Sequence, residues 1–247
     1  MNGTWVTFQR EIKQVFRTVS GAVPVAVAVS VASAILVWTL RKNEGGGIPL
    51  QTVWGLGTAI AMQILAATAA VRLVAEERST GMLELLFSSP VSERELVVGK
   101  FLALWTTLML IPLISVLAPV VILPRMAAVS VSSEGFVLTG LILALQSAFW
   151  SAGAVFIALC CGASGIAAGA ITLLCFAGVP FFFYNALLNW FPEAAGLFSG
   201  FMMREHISDF STGLISLFPL VLYPVLTLLL LLLGIIRLEN MRQRGLF

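Results

Sequence analysis

Of 247 residues, 59% are apolar and 11% charged, with a mean hydropathy of +1.01. Soluble domains carry about 25% charged residues, so the composition excludes a soluble globular class and points to an integral membrane protein of five to seven spans at roughly 20 residues each. A net charge of +2 without a basic run excludes a nucleic-acid partner.

Residues 5–19 place Trp5, Phe8, Ile12, Val15, Phe16 and Val19 on one helical face and Arg10, Lys13 and Arg17 around the other. Such a helix lies in the membrane interface, its apolar side at the acyl boundary and its cations among headgroups. The uncharged run 21–40 is the first expected span, with Pro24 in its first turns, where proline is tolerated. A loop with Arg41, Lys42, Glu44 and three glycines leads to a second span over 53–74. Arg72 sits at its end and is expected to snorkel to the cytoplasmic interface.

Residues 76–90, Glu-Glu-Arg-Ser-Thr-Gly-Met-Leu-Glu-Leu-Leu-Phe-Ser-Ser-Pro, interrupt the apolar runs with charge. Gly81 opens and Pro90 closes a short amphipathic helix in which Met82, Leu85, Leu86 and Phe87 share one side and Glu84 lies away from them. Ser92 and Glu95 have capping-box spacing. A third span is expected over 100–123, kinked at Pro112 and Pro119. No charged residue occurs from 136 to 192. That length allows two antiparallel crossings, over 136–159 and 166–187, joined by the short turn 162–165. Residues 190–213 mix Trp190, Phe191, Phe198 and Phe201 with Glu193, Arg204, Glu205, His206 and Asp209, and read as outer interfacial helices or a half-inserted hairpin. A last span over 214–236 precedes a basic tail, and no internal repeat divides the single domain 1–247.

Lys and Arg number ten on the side holding both termini and four on the other, so both termini and residues 76–90 are expected in the cytoplasm of a multi-pass protein. Cys160, Cys161 and Cys175 lie within apolar runs and read as small buried residues. The single histidine, His206, gives no metal cluster, and no acid lies inside a span to relay protons. A phosphate-binding loop needs Gly, four residues, then Gly-Lys-Ser/Thr. The one Gly-Lys pair, Gly99-Lys100, has Arg94 and Phe101 at the other defining positions, so no ATP site and no catalytic residue is expected in this chain. Gln63, with the small-residue pairs Ala66/Ala70 and Gly165/Gly169, suits close helix packing within or between subunits, or a pathway at a dimer seam.

The run Glu76-Glu77-Arg78-Ser79-Thr80-Gly81-Met82-Leu83-Glu84, then Pro90-Val91 and Gly99-Lys100-Phe101, resembles the coupling segment of ABC-2 type transporter permeases; the family motif usually has Thr at the position of Met82. His206-Ile207-Ser208-Asp209-Phe210-Ser211-Thr212-Gly213, with the tail Arg237 to Arg244, looks most like the gliding-motility permease subgroup. The resemblance implies an all-α membrane protein of the bacterial inner membrane with six transmembrane helices. It adds an N-terminal elbow helix (5–19), a cytoplasmic coupling helix, and outer interfacial helices between spans five and six. It implies an exporter subunit that pairs with a second or sister permease and two ABC ATPase subunits, which hold ATP and Mg. The coupling interface would be Glu76, Glu77, Arg78, Gly81, Met82, Glu84, Leu85, Leu86 and Pro90. The alternative is a non-transporting scaffold acting on an extracytoplasmic partner through the outer segment of Trp190, His206 and Asp209.

Overall fold

The uncharged runs form long helices whose backbone groups are satisfied within each helix, as a hydrocarbon surrounding demands. The computed structural model describes residues 3–42, 49–79, 92–117, 119–120, 133–161, 165–178, 189 and 202–244. In chain order these include α1 (Gly3–Arg17), α2 (Val19–Lys42), α3 (Leu50–Ser79), α4 (Glu93–Ser115), α5 (Ser133–Cys160), α6 (Gly165–Leu173), α7 (Met203–Ser211) and α8 (Leu217–Arg244). Among the described residues there is no strand.

Five helices, α2, α3, α4, α5 and α8, are long and apolar enough to cross a membrane. The expected fifth span is described only in its first half, as α6 and a π-helical turn over Leu174–Gly178; its remainder lies outside the described residues. The other boundaries differ from expectation in physically clear ways. α4 begins at Glu93, its capping box formed as expected, and so carries Lys100 two turns inside the helix. It runs through Pro112 and stops at Ser115, before Pro119, which has no N–H to continue a helical ladder. α8 extends to Arg244, making the basic tail a continuation of the last span.

α3, α4 and α5 form the centre, where Met62, Leu108, Ile111, Ile142 and Leu143 are completely buried. α2 and α8 are peripheral: 22% of the apolar window of each is buried, against 67% in α3. Their outward valines and leucines, among them Val23, Val27, Leu228 and Leu232, form the surface that lipid or a partner covers. Cys160 and Cys175 join that outer surface and Cys161 is half-buried, a correction to the expectation of buried cysteines. Cys160 and Cys175 point away from the core, whereas Cys161 packs against its edge.

α1 meets α2 at a tight elbow. Thr18 accepts from Gly21 N at 3.0 Å, and a Cβ on Gly21 would lie 2.4 Å from the Val15 carbonyl oxygen, so only glycine allows the two helices to turn so closely. On the opposite side of the molecule, Gly213, at φ 90°, ends α7 and turns the chain into α8.

Candidate functional site

The segment singled out in the sequence lies between α3 and α4. α3 continues past Arg72 to Ser79, so Glu76, Glu77 and Arg78 ride on a helical extension of about 10 Å. Gly81, Met82, Glu84, Leu85, Leu86 and Pro90 lie outside the described residues, as does Trp190. What the structure defines is how the chain is held where it re-enters at α4.

That re-entry is tied on two sides. Ser92 Oγ accepts from Glu95 N at 3.4 Å, and Glu95 Oε2 accepts from Ser92 N at 3.0 Å. The other oxygen of the same carboxylate, Oε1, accepts from Gly3 N at 2.8 Å. Glu95 thus caps the start of α4 and also satisfies an amide that the start of α1 leaves without a helical partner. One turn on, a Cβ at Gly99 would lie 2.7 Å from Thr7 Cβ, so the two helices touch backbone to side chain. Lys100 Nζ then reaches Glu11 Oε1 at 3.2 Å, with the two side chains 5% and 13% exposed. On the other side of α4, Glu93 pairs with Arg242 of α8.

Glu11 also receives Arg10 Nη2 at 2.7 Å. Burial alone would raise its carboxyl, but Lys100 first and then Arg10 together outweigh burial and hold it below its ordinary value of 4.5. The sequence carried a signal for this pair. A helix capped at Ser92 places Lys100 well inside an apolar surface, and a buried ammonium requires a partner; the spacing does not say that the partner is Glu11.

The small residues also meet. Ala66 and Ala70 are buried, and a Cβ on Gly169 would lie 2.5 Å from Val71 Cγ2 and 3.0 Å from the Ala67 carbonyl. Gly165 is buried in the first turn of α6, and Gln63 Nε2 donates to the Phe176 carbonyl at 3.3 Å. These groups are engaged between α3 and α6 of one chain.

At the far end of the bundle His206 is buried in α7, facing inward with Ile207 and Phe210. Its Nδ1 lies 2.8 Å from the Tyr223 hydroxyl. That hydroxyl accepts from Gln146 Nε2 at 3.0 Å, and Gln146 also donates to the Met203 carbonyl at 3.2 Å. The hydroxyl proton is the donor when His206 carries its proton on Nε2. Asp209 is half-buried, and its carbonyl accepts from Leu214 N at 2.9 Å, closing the end of α7. The described part of residues 190–213 is therefore packed into the bundle by a polar triad. Tyr223, unremarked in the sequence, is its hub.

A family model for the ABC-2 family transporter proteins matches residues 6–235. The chain belongs to the ABC-2 transporter family. No curated protein gives a significant match to it. As an ABC-2 family protein with several membrane-crossing helices, it is a multi-pass membrane subunit of an ABC transporter without its own ATP site, and its family implies an ABC ATPase as partner.

Proposed function

We propose that this chain is the permease subunit of an ATP-driven exporter, paired with a second permease and two ATPase subunits at the cytoplasmic face. The helix from Gly81 to Phe87, closed by Pro90 and with Met82 on its apolar side, docks into the ATPase through Leu85 and Leu86 as buried anchors, with Glu76, Glu77 and Arg78 as the polar contacts around it. Residues 76–95 hold five Glu against two Arg, so the partner surface is basic and association weakens with salt.

The observation that carries this reading is the double tie at the start of α4. A displacement of the docking segment pulls on Glu93 and Glu95, and through them on α8 and α1. α1, α4 and α8 then move together against α3 and α5, a rigid-body route from ATP to the membrane. Small residues at the α3–α6 contact give a second seam along which the bundle can shift. The outer segment supports a likeness to gliding-motility permeases. Because α7 is packed onto α3 and α5, such motion also reaches the outer face, where a scaffold would act on an extracytoplasmic partner.

In the reconstituted complex, Glu84→Lys and Leu85→Asp each abolish permease-stimulated ATPase activity while the subunit still inserts. Normal stimulation in both variants would overturn the coupling role.

A further inference from the structure

Two polar groups in the middle of α5 are buried with a hydrogen bond unmade. Among the described residues, Gln146 Oε1 and Trp150 Nε1 meet neither a hydrogen-bonding partner nor each other, and both side chains are 0% exposed. We propose that this pair binds a single water molecule, which accepts from the indole N–H and donates to the amide oxygen.

The chemistry of the two side chains fixes their roles. A carbonyl can only accept, so the bond to the Met203 carbonyl at 3.2 Å requires the NH2 end of Gln146 at that point. The same nitrogen donates to the Tyr223 hydroxyl at 3.0 Å. Turning the amide over would set two acceptors against each other at Met203, so Oε1 stays an acceptor that needs a donor. Trp150 is its converse, because an indole nitrogen only donates. The two residues are four apart on one helix, where side chains are neighbours with Cβ atoms about 5–6 Å apart. A water both donates and accepts, and it is held in protein interiors by about two to four such groups. An apolar filling would leave both groups unmade, at a cost in free energy. Full burial excludes anything larger. With the water in place, the polar seam that holds α7 runs on from Gln146 to Trp150, one turn further along α5. This inference does not rest on ATP coupling, and its test needs no ATPase.

Full-length protein, deuterated and isotope-labelled at the tryptophan nitrogens, is observed by nuclear magnetic resonance in detergent micelles. The Trp150 indole signal is assigned by its loss in Trp150→Phe. A held water gives that indole proton cross-peaks at the water frequency that are opposite in sign between laboratory-frame and rotating-frame Overhauser spectra. Exchange with bulk solvent gives the same sign in both. Opposite signs are expected in the native chain. Gln146→Met, which keeps the side-chain length and removes the acceptor, is expected to lose the cross-peaks. Tyr223→Phe is expected to keep them, because the hydroxyl is not one of the water's two partners. Absent cross-peaks, or equal signs, in the native chain would overturn the proposal. Cross-peaks that survive in Gln146→Met would overturn it too, as would their loss in Tyr223→Phe, which traces the contact to the tyrosine hydroxyl. Helix content by circular dichroism checks each variant, and if Gln146→Met misfolds, the native chain and Tyr223→Phe decide.

Discussion

Lys100 of α4 and Glu11 of α1 form an ion pair at 3.2 Å, almost closed off from solvent, across 89 positions of sequence. Two desolvated charges hold each other only while both are present, and removing one leaves the other buried. Glu11 also has Arg10 at 2.7 Å, so its carboxylate keeps one cation when Lys100 is removed.

Glu11→Leu is expected to destabilise the folded chain by about 3–5 kcal/mol, and Lys100→Met to destabilise it as well, with Arg10 still beside Glu11. The double variant recovers part of the loss. Thermal melts of the purified protein in one detergent, arranged as a double-mutant cycle, measure the coupling, and additive losses would show that the pair does not join the helices.

Acid should release the same contact. Glu11 gives up its proton more readily in the folded protein than in the unfolded chain, so its contribution is complete above its ordinary value of 4.5 and is lost as pH falls through the lowered folded value. Melting temperatures followed downward from pH 5 are expected to fall more steeply for the native chain than for Glu11→Gln, which has no proton to take up there.

At the opposite end, Tyr223→Phe removes the hydroxyl that joins Gln146 to His206, leaving two buried polar groups without it. A loss of about 1–3 kcal/mol is expected. Ser30→Ala, whose hydroxyl bonds its own helix on an exposed face, is expected to change stability by no more than about 0.5 kcal/mol. Similar losses in both would mean that the triad does not anchor α7.

Much of the bundle was legible because each apolar run reports its own helix. The first, second, fourth and last spans follow from length and charge alone, and the Ser92/Glu95 cap from two side chains three residues apart. The ties between helices were not legible, since Gly3–Glu95, Glu11–Lys100 and Glu93–Arg242 join positions that no local period relates. The sequence predicts a span that ends at 74, yet α3 runs on through Glu76, Glu77 and Arg78 to Ser79; helix-compatible side chains do not announce where lipid gives way to water. Outward cysteines were misjudged for a related reason, because in a membrane protein an apolar run is apolar on its outer face too.

The bond from Gly3 to Glu95 also sets an order of assembly. α1 is translated before α4, and its acceptor emerges 92 residues later, roughly 5–20 s at ordinary rates of synthesis. For that interval the nascent elbow has only the membrane surface and α2 to rest on. Glu93 waits longer still, for Arg242, 149 positions further on. This end of the bundle is therefore closed from α1 on one side and α8 on the other, and a chain broken off before α8 leaves α4 held on one side only.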